Sequence, residues 1–317
     1  MPVPVKTCVL CGRTSGEFRP YSAQKGWTYV RCPGCQLVFL NPAPTADELR
    51  GFYNDGYHYH RGRYQKLVQQ QKNWLPLLEE FCKPPGKFLE IGCSYGFFLE
   101  TARQRGWDVA GIELSDEPAA HAREQLGLPV TAGTLADFAD GKAAAYDLIV
   151  AWHVLEHEPE PARLLAPAFR LLRSGGILGL RVPNMESAVA RLAGPYWQWL
   201  SPPEHIYMYS TSTLGALVTQ QHFEVLRTGS ARGNARNMWF EILRARAKLL
   251  LQGAGVHPQG KSQGASYAPP RVYQDSPWYR AAERAAEVLT APLEWMVSPA
   301  LARRGQEAEV IVVGRKP

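Results

Sequence analysis

The chain has 317 residues, with 35 Lys or Arg against 29 Asp or Glu, a formal charge of +6, and 45% apolar and 20% charged residues. That balance supports a sizeable core and excludes a disordered chain, while the mild positive charge permits an anionic partner without requiring one. No apolar run reaches the roughly 18 residues of a membrane span, and the opening Met1-Pro2-Val3-Pro4-Val5 lacks the blocks of a signal peptide. The reading is therefore a cytoplasmic chain whose six cysteines point to metal binding or chance rather than to disulfides.

The first predicted element is a metal ribbon. Cys8-Val9-Leu10-Cys11 and Cys32-Pro33-Gly34-Cys35 are two C-x2-C pairs separated by 20 residues. Four thiolates suit tetrahedral Zn²⁺ and leave no water position, so the ion would be structural. Between the pairs, Phe18 to Arg31 carries aromatic and β-branched residues that can pair as a hairpin. Arg13, Arg19, Lys25 and Arg31, interleaved with Tyr21, Trp27 and Tyr29, also fit a platform for nucleic acid. Packing around the metal is the favoured reading, because so small a unit needs its aromatics for a core. Asn41-Pro42-Ala43-Pro44 is a stiff linker. Thr45 then caps a helix over Asp47 to Tyr53, a loop follows to Arg63, and a helix is expected over Tyr64 to Cys82. Leu67, Trp74, Leu77, Leu78 and Phe81 form its apolar side, and Pro84-Pro85-Gly86 ends it.

The next stretch, Phe88 to Ser115, organises the rest. Phe88-Leu89-Glu90-Ile91 reads as a buried parallel strand. The turn Gly92-Cys93-Ser94-Tyr95-Gly96 leads into a helix from Phe97 to Arg105, stopped by Gly106. A second strand, Trp107 to Ile112, ends on Glu113. A strand–turn–helix–strand unit closed by a carboxylate is the arrangement that binds the ribose of a nucleoside cofactor. A dinucleotide site would need G-x-G-x-x-G for its pyrophosphate, and Glu90 beside the turn favours a cationic ligand over an anionic one. At these residues the chain resembles the class I S-adenosylmethionine-dependent methyltransferases. It departs from their first motif only at Ser94, where the family has the middle glycine. The resemblance implies a Rossmann-like, seven-stranded, mostly parallel α/β sheet with helices on both faces. It also implies S-adenosylmethionine as cofactor, held by Glu90, Gly92, Ser94, Gly96, Glu113 and Leu114.

Further elements extend the resemblance. Asp116 to Gln125 is a helix ended by Gly127, and Leu128 to Thr131 is the third strand. Thr134 and Leu135 stand where the family contacts adenine, and Asp137 either reaches the adenine amino group or caps a helix. Tyr146 to Ala151 is the fourth strand and feeds Trp152-His153-Val154-Leu155-Glu156-His157. Pro161 to Arg173 is a helix closed by Ser174-Gly175-Gly176, and Ile177 to Val182 is the fifth strand. This run is similar to quinone-pathway O-methyltransferases, and it implies a cofactor contact at Trp152. Thr211 caps a helix over Leu214 to Gln221, Phe223 to Arg227 is the sixth strand, and Glu309 to Gly314 is the seventh and antiparallel one. The paired C-x2-C motifs, followed by Leu37 to Pro42 and a Tyr-rich loop, resemble the zinc-ribbon methyltransferases of bacterial sugar and polysaccharide pathways. In that family a tyrosine closes over the cofactor, a place that Tyr57 or Tyr53 would take.

The domains expected are a ribbon over residues 1–45, a linker and helical lid over 46–85, and a methyltransferase domain over 86–317. That domain carries insertions at 185–210 and 231–306. The second insertion holds eleven Lys or Arg against five Asp or Glu. Its amphipathic helix, 237–251, suits a dimer interface, core packing or a membrane surface; one or two further helices are expected over Trp278 to Met296.

Transfer to an alcohol or phenol needs a base near neutral pKa, which favours histidine. Similar sugar methyltransferases use a Glu-His pair ahead of a Tyr-Ser segment. Glu204-His205 fits that layout, with His205 as base and Glu204 orienting it. His153, at the ligand-bearing edge of the sheet, is the other candidate base. A divalent metal at His153, Glu156 and His157 is a competing use of the same stretch, since the related E-x-x-E-H motif binds Mg²⁺. The function expected is methyl transfer to an oxygen of a small-molecule or sugar-like acceptor. The alternative is a zinc-ribbon, nucleic-acid-binding RNA methyltransferase.

Overall fold

The computed structural model describes residues 2–45, 47–49, 74–231 and 306–317, together with 242, 245, 285 and 300. Tyr53, Tyr57, residues 64–73 of the helix expected over Tyr64 to Cys82, and nearly all of the 231–306 insertion, with the helices expected over 237–251 and 278–296, lie outside these residues.

The cysteine ribbon comes first. Strand β1 (Arg19–Gln24) turns through Lys25-Gly26 into antiparallel β2 (Trp27–Arg31), both turn residues having positive φ (55° and 81°). Such a two-residue turn matches the natural twist of the paired strands, and glycine takes its second position without a Cβ clash. β2 pairs with β3 (Val38–Leu40). The far edge of β3 is taken by β9 (Tyr207–Met208), which comes from the 185–210 insertion. The ribbon sheet is thus completed by a segment about 170 residues away in sequence.

The large sheet has seven strands. β4 (Lys87–Ile91), β5 (Asp108–Glu113), β6 (Val130–Ala132), β7 (Tyr146–Trp152) and β8 (Leu172–Pro183) run parallel. β10 (Glu224–Ala231) and β11 (Glu309–Arg315) complete the order β10-β11-β8-β7-β4-β5-β6, with β11 antiparallel to both neighbours. The winding reverses between β4 and β7, which opens a crevice at the carboxyl ends of those strands.

The helices that frame the large sheet among the described residues include α1 (Trp74–Leu78), α2 (Phe97–Gln104), α3 (Asp116–Leu126), α4 (Leu135–Ala139), α5 (Ala162–Leu171), α6 (Ala188–Ala193) and α7 (Thr211–Gln220). On α2 the buried residues are Phe98, Leu99 and Ala102, the stripe that helical spacing demands. Of the boundaries that differ from expectation, two have a clear cause in the hydrogen bonds. Ser210, rather than Thr211, caps α7: its Oγ accepts from Thr213 N (3.2 Å) while Thr213 Oγ1 accepts from Ser210 N (2.8 Å). Ser174-Gly175-Gly176 does not close α5. The strand already starts at Leu172, because Gly175 N bonds Lys316 O (2.8 Å) and Lys316 N bonds Gly176 O (2.9 Å), which extends β8 along the chain's end.

Each sheet face has its own core. Trp74, Phe88, Phe98, Trp107, Leu148 and Trp152 fill one, under α1 and α2. The other runs without a break from Leu89, Ile149 and Leu180 to Phe39, Tyr207 and Tyr29 of the ribbon. Truncating a fully buried aromatic such as Phe98 costs about 3–5 kcal/mol.

Candidate active site

The crevice is floored by the turn between β4 and α2. Gly92 has φ +72°, and a Cβ there would stand 2.6 Å from Val154 Cγ2, so glycine lets the turn pass beneath the chain leaving β7. Ser94 has φ +48°. It keeps the left-handed conformation of the glycine it replaces, at a cost of order 1 kcal/mol. Its amide donates to Glu113 Oε2 (2.8 Å), and Ser115 N donates to Glu113 Oε1 (2.9 Å). The carboxylate at the end of β5 is thereby fixed beside the turn, and each oxygen keeps acceptor capacity. Burial lifts its pKa, against the pull of these backbone donors.

Glu90 lies behind the turn, 1% exposed, and its Oε2 has no hydrogen-bond partner among the described residues. Burial, then the neighbouring Glu113, pushes its pKa well above the carboxylate range. A buried carboxylate with an open oxygen calls for a cationic or donor ligand. Leu114, next to Glu113, is 56% exposed, an apolar surface suited to a flat base. Thr134 caps α4: its Oγ1 accepts from Asp137 N (3.2 Å) and donates to Asp137 Oδ2 (2.6 Å). Asp137 therefore serves the cap. Leu135 is buried in the core, so only its backbone is placed to reach a ligand. Trp152 packs edge-on against Phe98 (5.6 Å) and is 8% exposed.

The other edge of the crevice holds a buried histidine–glutamate cluster. His153 follows β7 at φ +54°, and its amide donates to Arg181 O (2.8 Å). Its Nδ1 meets Glu156 Oε1 (3.1 Å) and its Nε2 meets Glu309 Oε1 (2.9 Å). Two carboxylate acceptors require both nitrogens to carry protons. Burial alone would depress the pKa, but the two glutamates outweigh it and raise it to about 9. In Glu309 the order is similar: burial raises the pKa, while Arg181 and then His153 bring it to about 2. His153 is thus held between two carboxylates, an arrangement that favours its protonated form.

His205 is 4% exposed. Its Nδ1 lies 2.7 Å from Trp199 O, and a carbonyl only accepts, so the proton sits on Nδ1 and the lone pair on Nε2. The backbone of His205 is held by Tyr29, whose hydroxyl donates to His205 O (2.6 Å). Next to it, Ile206 N bonds Glu156 O (2.8 Å) and Leu40 N bonds Ile206 O (2.9 Å). The ring of Trp199 is stacked between His153 (5.4 Å) and His205 (5.6 Å). Glu204 does not orient His205 as expected. Its Oε1 accepts from Ser201 Oγ (2.6 Å), and Trp199 O does the orienting.

Glu156, His157 and His205 bring one ligand atom each within 4.8 Å of one another, a group that could hold a metal ion. Burial keeps His157 neutral, with its pKa down to about 4. His153 is not one of this group; its two nitrogens meet Glu156 and Glu309. In the ribbon, Cys8, Cys11, Cys32 and Cys35 also lie within 4.8 Å, with Sγ–Sγ distances of 3.5 Å (Cys8–Cys35) and 3.4 Å (Cys11–Cys32). Those spacings suit four thiolates around one tetrahedral ion.

A family model described as a methyltransferase domain matches residues 58–228, more than half of the chain. The chain belongs to that family. Similar curated proteins include the ubiquinone biosynthesis O-methyltransferases of Hahella chejuensis and Pseudomonas aeruginosa. The first is 29% identical over 110 residues (33% of this chain, 46% of the relative), the second 34% over 103 residues (31% and 44%). The match thus spans about half the length of these relatives. Among solved structures, an S-adenosylmethionine-dependent methyltransferase from Archaeoglobus fulgidus superposes with a TM-score of 0.50 at 14% identity, covering 82% of this chain and 100% of that one. A chain from the complex of the Haloferax volcanii Trm112 methyltransferase activator with a methyltransferase gives 0.51 at 15% identity, covering 81% and 95%. These likenesses establish the methyltransferase fold.

Sequence reasoning missed Tyr29, Trp199, Arg181 and Glu309. The last two left a signal: each is a charge at the carboxyl or amino end of an otherwise apolar strand, ILGLRVP and EVIVV. Among the described residues, no helix is long and apolar enough to cross a membrane.

Proposed function

We propose that this chain transfers the methyl group of S-adenosylmethionine to a hydroxyl oxygen of a small-molecule or sugar-like acceptor. The observation that carries this reading is the Glu113 carboxylate, pinned by Ser94 N and Ser115 N beside a turn with too few glycines for a pyrophosphate. When bound, the cofactor supplies a sulfonium methyl, an electrophile that needs alignment more than activation. Glu113 accepts from the ribose hydroxyls, Leu114 covers the adenine, and the backbone at Thr134 and Leu135 lines its edge. Gly92, Ser94 and Gly96 form the floor, and Glu90 faces the cationic end. Tyr57 is proposed to close over the site.

On the acceptor side, His205 Nε2 takes the hydroxyl proton, and Trp199 O steadies the imidazolium that results. Glu204 lends negative charge nearby. His153 is a positioning residue, tying the end of β7 to Glu156 and Glu309. Zn²⁺ held by Cys8, Cys11, Cys32 and Cys35 would fix the ribbon, and the ribbon fixes His205 through Tyr29 and β9. The domain division at residues 45 and 85 is likewise proposed. The curated relatives are named for ubiquinone biosynthesis, and this supports a phenol-like hydroxyl as one acceptor class.

A second reading places a divalent ion on Glu156, His157 and His205. It is favoured by the buried Glu156 Oε2, which lacks a partner among the described residues. Such an ion would lower the pKa of an acceptor hydroxyl. The test is methyl transfer from labelled S-adenosylmethionine to a panel of phenols and sugars, with and without a chelator too weak to strip a four-thiolate site. Methyl ethers formed regardless of the chelator support His205 as base. Chelator-dependent turnover supports the ion, and methylation only at carbon or nitrogen overturns the oxygen assignment.

A further inference from the structure

Arg181 is the least explained charge in the molecule. It lies on β8 near its carboxyl end, opposite Trp152 of β7 and Ile311 of β11, and is 0% exposed. Its guanidinium sits over the rings of Trp74 (5.4 Å) and Trp152 (5.3 Å). None of its three nitrogens has a hydrogen-bond partner among the described residues, and Glu309 Oε2 stays 3.7 Å from Nε. A guanidinium has five donors in a planar fork. Leaving all of them unmet inside a protein is costly, so such a group marks a place where an acceptor belongs.

The sheet register says which acceptor. Glu90 pairs with Val150 on β7, and Val150 pairs with Gly179 on β8, two residues before Arg181. Residues paired across a parallel sheet, and those two apart along a strand, point to the same face. Glu90, Trp152 and Arg181 therefore share one face, at the carboxyl ends where the crevice opens. Glu90 too has an open oxygen. An unmet carboxylate and an unmet guanidinium on the two sides of one strand complement a ligand bearing an ammonium and a carboxylate together, the group of an α-amino acid.

We infer that Arg181 is the receptor for the α-carboxylate of the cofactor's methionyl group, its fork taking both carboxylate oxygens while Glu90 faces the ammonium. The inference rests on the S-adenosylmethionine reading and adds a binding residue to it. Bidentate guanidinium–carboxylate pairing is geometrically selective, and lysine offers only a point charge.

The test is calorimetry on the full chain with three probes: S-adenosylhomocysteine, its analogue lacking only the carboxylate, and 5′-methylthioadenosine, which has no amino-acid group. The wild type should bind S-adenosylhomocysteine at least about 30-fold more tightly than the descarboxy analogue, the range expected for charge-assisted bonds in a buried site. R181M should bind the two within about threefold, R181K should fall between, and all three proteins should hold 5′-methylthioadenosine alike. Equal binding of the first two probes by the wild type would overturn the inference without any variant. So would an R181K that keeps the full discrimination, or an R181M whose only defect is a raised KM for the acceptor. Failure of the wild type to bind any of the probes would instead sink the cofactor reading itself.

Discussion

The two edges of the crevice are built in different ways. The cofactor edge comes from one continuous stretch, Phe88 to Ser115, in which strand, turn, helix and strand follow one another and Glu113 returns to bond Ser94 N. The acceptor edge is assembled from four distant segments: the ribbon through Tyr29, the β7 exit through His153 to His157, the insertion through Trp199 and His205, and β11 through Glu309. A site made of local contacts is specified by spacing, whereas a site made of long-range contacts depends on every packing surface that joins its parts. Damage at the first edge should therefore stay local. Damage at the second should spread from places far from any ligand.

The largest expected effect is at the acceptor edge. His205→Ala should lower kcat by about 10²–10⁴-fold, the usual share of a general base, while leaving the affinity for S-adenosylhomocysteine unchanged in calorimetry. A parallel loss of cofactor affinity would show that the two edges are not separable.

Next in size is the pH dependence of stability. Folding raises the pKa of His153 to about 9 from its ordinary 6.5. Its contribution, about 3 kcal/mol at most, is present in full below pH 6.5 and is lost as pH rises through 9. Glu309, lowered to about 2, contributes above pH 4.5 and loses that contribution as pH falls toward 2. Denaturant midpoints should decline between pH 6.5 and 9, and the His153→Gln variant should flatten that decline. An equally steep decline in the variant would place the titrating group elsewhere.

Tyr29→Phe removes one buried hydrogen bond, to His205 O. About 1 kcal/mol of positioning should be lost, read as a fall in kcat of roughly fivefold with KM for the cofactor unmoved. If the four cysteines hold Zn²⁺ as proposed, its removal by a strong chelator should act in the same direction and more strongly, because β9 and Tyr29 both hang on that sheet. The smallest effect is at the first edge. Ser94→Gly should change stability by less than about 1 kcal/mol, since relief at φ +48° is offset by glycine's greater freedom when unfolded.

The same division explains what could be read from the sequence. The seven-stranded sheet and the clustering of the four cysteines were legible because their signals are spacings along the chain. His205 was legible only through a resemblance. Its true supports, Trp199 O and the Tyr29 hydroxyl, could not be read, because neither has a sequence pattern and both meet it through packing between the ribbon and the insertion. The surroundings of His153 were half legible for the same reason: its neighbour Glu156 is three residues away, but Glu309 is 156 residues distant.

The most direct measurement is a calorimetric titration of the chain and its Glu113→Gln variant with S-adenosylhomocysteine. The account predicts micromolar-range binding by the wild type and a loss of about 100-fold in the variant, as expected when a fixed carboxylate gives up two charge-assisted bonds to ribose. Undiminished affinity in Glu113→Gln, or a wild type that binds a nicotinamide dinucleotide instead, would contradict it.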